Sequence, residues 1–451
     1  MKKTEKKGNH LAVKMAIAMV LGLICGLAML MLRENLLTSG QTQTWAAINN
    51  LLFQDITAEA GKNAIGLFYI VGQLFVNALQ VIIVPMIFCS IALAICQITD
   101  TRKLGRISSK TLGAFLLTTA VALVIAGAVG LTVYATGAFN AVEVNGLNVS
   151  TGSSGSNPLS ILLSIVPNNM TSAFSTNGQV LAVVFLAVAT GLGINALGSK
   201  VTVLKKLLQE ISDIITVCLS YVINKFGPLA IFVLLTRTFA IYGIDHLKPA
   251  LAYVVTTVLL LLAFLIVGYA VFVAVLGRIN PIPFVKKIAK VAVFGFSTSS
   301  SAATLPLNRK TVTEELGVSD EIASFTLPLG MTVNMDGTAI MQVIAAIFVA
   351  ASSGYSVTVS SIAIIAILAL IASIGTPAAP GAGAVILFTI LTGMGYTNDA
   401  ALLAYSLILA INRPIEMLVT SLNVVGDAAT SVIVARSEKM LDEKQYNAEQ
   451  N

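Results

Sequence analysis

Charge is scarce in this chain. Only 11% of its 451 residues are Asp, Glu, Lys or Arg, against about 25% in an ordinary soluble domain. Hydrophobic residues make up 56%, and the mean hydropathy is +0.89. So few charges cannot cover the apolar surface of a soluble fold of this length. Histidine is nearly absent, with only His10 and His246, and there are four cysteines. That poverty removes most metal-site readings. Cys25, Cys89, Cys96 and Cys218 sit inside apolar runs and read as buried small hydrophobes, not disulfides. No G-x-x-x-x-G-K-[ST] stretch is present, so the chain does not carry its own nucleotide motor. The net charge of +6 is spread over loops and does not build a nucleic-acid groove.

What the chain has instead is long apolar runs. A span needs about 20 apolar residues, which leaves room for roughly eight spans. The first run, Leu11 to Leu32, follows MKKTEKK. It is too long for a signal-peptide core and lacks a small-residue cleavage site, so it reads as an uncleaved first helix. Further runs cover 63–98, 111–134, 178–197, 211–235 and 251–276. Basic loops carry Arg102, Lys103, Arg106 and Lys110, then Lys200, Lys205 and Lys206, then Arg278, Lys286, Lys287 and Lys290. The segment Asn145–Ser156 has neither Lys nor Arg. Basic loops stay cytoplasmic, so the pattern puts both termini inside the plasma (inner) membrane.

The second half breaks this alternation. Val291–Asn308 is flanked by Lys290 and Arg309 and has Ser297-Thr298-Ser299-Ser300-Ser301 in its middle. One such stretch cannot cross twice, so it reads as a re-entrant helical hairpin with a polar tip. From Gly337 to Asn398 there is no charged residue, and Gly, Pro and Thr interrupt that stretch at 375–383. This reads as the end of one span and a second hairpin entering from the other side. A last span is expected over about Ala400 to Ala435. Two interrupted segments at corresponding places are the sequence mark of a transporter site built from inverted repeats.

Chemistry concentrates in two spans. Asn334, Asp336 and Thr338 are two apart and cannot share a face of a regular helix. If they act together the helix is unwound there, next to Gly337. A carboxylate at this depth costs about 2.5–3.5 kcal/mol on the mildest scale, so it is paired, protonated or cation-bound. Arg413, Glu416, Thr420, Asn423 and Asp427 follow at steps of 3, 4, 3 and 4 and form one helical stripe. Pro414 withdraws a hydrogen bond from the carbonyl of Ala410. Arg413 and Glu416 either neutralise each other or leave Arg413 to meet a substrate.

At these residues the chain resembles the dicarboxylate/amino acid:cation symporters, the glutamate transporter family. The matching motifs are Ser299-Ser300-Ser301-Ala302-Ala303-Thr304-Leu305-Pro306, Asn334-Met335-Asp336-Gly337-Thr338, Gly375-Thr376 with Pro380-Gly381-Ala382-Gly383, and Thr420 with Asn423-Val424-Val425-Gly426-Asp427. The resemblance implies an all-α polytopic membrane protein with eight transmembrane helices and two re-entrant hairpins, working as an elevator within a homotrimer. The implied scaffold is residues 11–110 (spans 1 and 2) and 157–245 (spans 4 and 5). The implied transport domain is 111–137 (span 3) and 247–436, with 437–451 a cytoplasmic tail. Sodium ions are the implied coupling ions, at Thr118, Thr119, Asn334, Met335, Asp336, Ser373, Thr376, Asn423 and Asp427. Substrate is implied at Ser299, Ser300, Ser301, Thr338, Ala379, Pro380, Gly381, Gly383, Glu416, Val419, Thr420 and Asn423. Phe115 stands where the family often has Tyr.

The departures bear on the substrate. Members for acidic substrates carry an Asp where Glu416 stands and an Arg where Val419 stands. Ser299 occupies the alternative Arg position, and Asn412 replaces the carboxylate that supports the Arg. These replacements lead to the expectation of a sodium-coupled symporter for a neutral amino acid such as Ala, Ser, Thr or Cys. The alternative is an acidic amino acid or C4-dicarboxylate symporter, with protons as the alternative coupling ion, and it returns if Arg413 contacts substrate. A channel or sensor has no need of two hairpins. An enzyme is not expected, because no Ser–His or paired-Asp spacing appears.

Overall fold

The computed structural model describes residues 2–57, 61–99, 105–140, 166–175, 179–243, 247–374, 376 and 381–448. The segment Asn145–Ser156 and the expected tip residues Ala379 and Pro380 lie outside these residues. The described chain is nearly all helix. An isolated bridge joins Val318 and Leu441, and no strand occurs among the described residues.

The first half holds α1 (Lys2–Thr38), α2 (Thr42–Leu52), α3 (Leu67–Thr99), α4 (Gly105–Ala135), α5 (Met170–Ser175), α6 (Val180–Leu197) and α7 (Thr202–Tyr242). Next come α8 (Leu247–Ala263), a π-helical turn at Phe264–Gly268, and α9 (Tyr269–Val275). The remainder is α10 (Pro281–Thr298), α11 (Ser301–Glu314), α12 (Asp320–Val333), α13 (Asp336–Ser352), α14 (Val359–Ile374), α15 (Ala382–Gly393), α16 (Asp399–Ile411), α17 (Arg413–Ser437) and α18 (Glu443–Asn447). Among the described residues, eight stretches are long and apolar enough to cross a bilayer: Ile17–Thr38, Leu67–Leu93, Arg106–Ala135, Ala182–Lys200, Thr202–Ile241, Lys248–Val275, Asp320–Ser352 and Arg413–Ser437.

Local chemistry places the ends of the shorter helices. Asn280 caps α10 by accepting the Ile282 N–H at 3.1 Å, with Pro281 in the first position where no N–H is missed. Ser299 ends α10 in the left-handed region (φ 48°), and Ser300 caps α11 by accepting the Ala303 N–H at 3.3 Å. Two residues therefore turn the chain between two helices that pack on each other. Asn398 caps α16 in the same way, from Ala401 at 2.8 Å.

Two packing groups emerge. In one, α7 lies against α1 and α3, and α3 against α6. In the other, α13 touches α4, α8, α14, α15, α16 and α17, while α17 also packs on α10, α11 and α12. Every residue of α13 is buried. A helix buried on all sides belongs inside a bundle. Contacts of α16 with α7 and of α15 with α3 join the groups.

Two expectations need correction, and the C-terminal residues add a finding. The last span is not one helix: it breaks at Asn412, between α16 and α17. The reason is Pro414, which has no N–H for the preceding turn. The described part of the segment expected as a cytoplasmic tail packs back on the body. Lys287 Nζ donates to the carbonyls of Glu315 (2.9 Å), Gln445 (2.9 Å) and Tyr446 (2.7 Å), and the Tyr446 hydroxyl donates to Asn280 O at 2.8 Å. Burial pushes the Tyr446 hydroxyl up to about 12. Finally, Cys89 and Cys96 are buried, but Cys218 is exposed and Cys25 is half-buried; none of the four is in a disulfide.

Candidate substrate and cation site

The site forms where α12 stops and α13 starts. Asn334 and Met335 leave helical geometry (φ −88°, ψ 87° and φ −118°, ψ 43°), and Asp336 opens the next helix. The break lets alternate residues converge, which a regular helix forbids. Asp336 is fully buried. Its Oδ1 accepts from the Thr119 hydroxyl at 2.5 Å and its Oδ2 from the Tyr269 hydroxyl at 3.0 Å. Thr118 stands one residue earlier on α4, also buried, with its hydroxyl on the Phe115 carbonyl at 3.0 Å. The Phe115 ring packs apolarly with Leu329 and Val333.

Across from this break lies α17. Asn334 Nδ2 donates to Asp427 Oδ1 at 2.9 Å. Asn423 Oδ1 accepts the Gly337 N–H at 2.8 Å, and Asn423 Nδ2 reaches both Met335 Sδ and Thr338 Oγ1 at 3.3 Å. The Asn334 Oδ1 is buried with no hydrogen-bond partner among the described residues. That amide oxygen and the carboxylates of Asp336 and Asp427 are hard oxygen donors, of the kind that could hold a hard cation.

About two turns toward the start of α17 from Asn423, Glu416 Oε1 accepts the Ala384 N–H at the N-terminal end of α15, at 3.3 Å. Arg413 Nη1 lies 3.7 Å from Glu416 Oε2, too far for a hydrogen bond. The Arg413 side chain is 11% exposed, and its Nε and Nη1 have no hydrogen-bond partner among the described residues.

Other expected residues stand apart. Ser299 is buried and its hydroxyl has no partner among the described residues, and Ser301 is buried at the start of α11. The hairpin they belong to is pinned on α17: Asn308 Nδ2 donates to Val424 O and the Ser421 hydroxyl to Ala292 O, both at 2.8 Å. Thr420 bonds back to Glu416 O at 3.0 Å. Ser373, in α14, bonds to the carbonyl of Leu370, and Thr376, just beyond that helix, to the carbonyl of Ala372, both at 2.9 Å. Gly381 enters α15 at φ 86°. Val419 is buried on α17 and brings no charge to the site.

The structure adds residues that sequence reasoning missed. Gln342 donates from Nε2 to Gly383 O at 3.2 Å, and its Oε1 has no partner among the described residues. Its signal was available: it is a polar residue one turn beyond Thr338 in a charge-free run. The Tyr253 hydroxyl donates to Asn412 Oδ1 at 2.7 Å. Neither this tyrosine nor Tyr269 has a local signal, because both sit in uniformly apolar spans.

Comparison with known proteins agrees with this architecture. The proton/sodium-glutamate symport protein of Bacillus caldotenax is 28% identical over 394 residues, covering 84% of this chain and 90% of the relative. The proton/glutamate-aspartate symporter of Escherichia coli (strain K12) is 27% identical over 387 residues, 83% of this chain and 86% of the relative. The C4-dicarboxylate transport protein of Bacillus subtilis (strain 168) is 26% identical over 379 residues, 82% and 88% respectively. The pattern of the sodium:dicarboxylate symporter family matches residues 11–437. With its membrane-length helices and that match, the chain is a multi-pass membrane protein that belongs to the sodium:dicarboxylate symporter family.

Proposed function

We propose that this protein couples inward sodium movement to uptake of an anionic substrate, either an acidic amino acid or a C4-dicarboxylate. The observation that carries the substrate class is Arg413. A buried guanidinium with two nitrogens lacking acceptors is costly and is relieved by a carboxylate. Its ion pair with Glu416 is long and leaves those donors unused. The matched relatives named above act on glutamate, aspartate or C4-dicarboxylates. The neutral amino acid expected from Val419 and Ser299 is thus the second reading, favoured by the absence of Arg at those two positions.

In this mechanism Thr338, Asn423 and the Ser300–Ser301 turn hold one substrate carboxylate. Their hydroxyls, amide and exposed backbone N–H groups donate without fixed charge. Arg413 holds the second carboxylate, and Glu416 meets an ammonium where the substrate has one. Sodium is carried by Asp336, Asp427, Asn334 and the α4 hydroxyls, a set of oxygens suited to a hard monovalent cation.

The helix pairs α10–α11 and α14–α15 act as re-entrant hairpins. The group α1, α3, α6 and α7 serves as a fixed scaffold in a trimer, and the bundle of α4 and α8–α17 moves across the bilayer. The two packing groups support this division, and the basic loops support cytoplasmic termini. The test is uptake into proteoliposomes under an inward sodium gradient, with glutamate, aspartate, succinate, alanine and serine as competitors. Competition by the diacids alone is expected. Competition by alanine and serine alone would establish the second reading, and uptake that follows a proton gradient without sodium would replace the coupling ion.

A further inference from the structure

We infer that Tyr269 is a positioning residue for the coupling cation, holding Asp336 from the side opposite Thr119. The inference rests on the proposed role of Asp336 in cation binding.

The tyrosine follows the π-helical turn at Phe264–Gly268. Such a turn inserts one residue, so everything beyond it is rotated by about 100° relative to an unbroken helix. π turns are uncommon and concentrate at functional sites. Here the turn delivers a side chain that is 1% exposed onto a carboxylate that is fully buried. The Tyr269 hydroxyl donates to Asp336 Oδ2 at 3.0 Å, while Oδ1 is taken by Thr119 at 2.5 Å. Each carboxylate oxygen therefore has its own donor, and the carboxylate plane is fixed from two helices that are remote in sequence.

The opposite wall is shaped to the same hydroxyl. A Cβ on Gly426 would lie 2.3 Å from the Tyr269 oxygen and 2.6 Å from Asn334 Nδ2. Position 426 must lack a side chain for the tyrosine and the Asn334 amide to occupy that space together. Tyr269 thus touches the two cation-bearing helices at once, α13 through Asp336 and α17 through Gly426. Its ring is held by Phe264 (centroids 5.4 Å apart) and Phe272 (6.4 Å), so the hydroxyl is aimed and not free to swing.

The test is Tyr269→Phe in the full chain in proteoliposomes, with substrate uptake titrated against external sodium. The ring and its aromatic contacts are kept, and only the hydroxyl is lost. A hydrogen bond to a charged group is worth roughly a ten-fold change in an equilibrium. The sodium concentration for half-maximal uptake is therefore expected to rise about ten-fold. Excess sodium should overcome the defect, which separates positioning from general damage. Replacement by 3-fluorotyrosine, which keeps a donor, is expected to restore the wild-type titration. Should Tyr269→Phe fail to fold, Gly426→Ala displaces the same hydroxyl and is expected to move the titration in the same direction. Wild-type uptake that ignores sodium would sink the cation reading itself. Sodium-driven wild-type uptake with an unchanged titration in the folded variant would overturn this inference alone.

Discussion

The side-chain oxygen of Asn423 accepts the backbone N–H of Gly337 at 2.8 Å. A residue of α17 thereby serves an N–H in the first turn of α13, one of those that have no partner within their own helix. The interrupted span and the polar stripe are thus one unit.

Asn423→Leu removes that acceptor and leaves a buried N–H unsatisfied. A loss of about 1–3 kcal/mol of stability is expected, read by chemical unfolding in detergent. Asn423→Asp keeps an acceptor and is expected to lose less. Equal stability of the Leu variant and wild type would mean that water fills the gap.

Gly330 faces Asp427 at close quarters. A Cβ there would stand 2.3 Å from Asp427 Oδ1 and 2.9 Å from the Phe115 ring. Gly330→Ala is expected to cost about 1–3 kcal/mol by overpacking and to weaken stabilisation by sodium in a thermal-shift series. Gly113, in α4, has open space around it. Gly113→Ala is the matched control and is expected to stabilise by about 0.5–1 kcal/mol through helix propensity.

Arg413→Gln tests the substrate class. Apparent affinity for diacids is expected to fall at least about ten-fold, the scale of one charge-assisted contact, while folding and sodium stabilisation persist. Val419→Arg is expected to recover diacid affinity in that background. Unchanged diacid competition in Arg413→Gln would refute the guanidinium as reader and favour the neutral substrate.

Just beyond α17, Glu438 accepts from the Arg106 guanidinium and pairs with the Lys110 ammonium, both on α4 and each at 2.5 Å. The Lys110 ammonium first, then the Arg106 guanidinium, holds its carboxyl below the usual carboxylate range. A group whose folded value is depressed contributes stability above its unfolded value and loses it as pH falls through the folded one. The stability difference between wild type and Glu438→Gln should be present near neutral pH and vanish well below about pH 4. A difference that is constant with pH would show that the pair contributes nothing through charge.

Much of the site was legible because its signals are local. Asn334, Asp336 and Thr338 stand out in an apolar run whatever surrounds them, since burying a carboxylate is costly in any fold. The Glu416-to-Asp427 stripe is visible from helical spacing alone. The break at Asn412 was only half legible: Pro414 announces a loosened turn but does not say which residue leaves the helix. Tyr269 was illegible, because a tyrosine in an apolar span looks the same whether its hydroxyl meets a carboxylate or a backbone carbonyl.

The amino-acid sequence by itself determined that this chain lives in a bilayer, which of its stretches are long enough to cross, and which few polar residues are buried at depth. Those properties follow from transfer free energies and helical periodicity, which act residue by residue. Only the tertiary structure decided that Thr119, Tyr269, Asp336, Asn334 and Asp427 meet, that Arg413 lies beside Glu416 with its donors unspent, and that the C-terminal residues clasp Lys287. Each of these depends on how helices far apart in the chain pack, and packing is fixed by shape and hydrogen-bond satisfaction across the whole bundle, not by any local pattern.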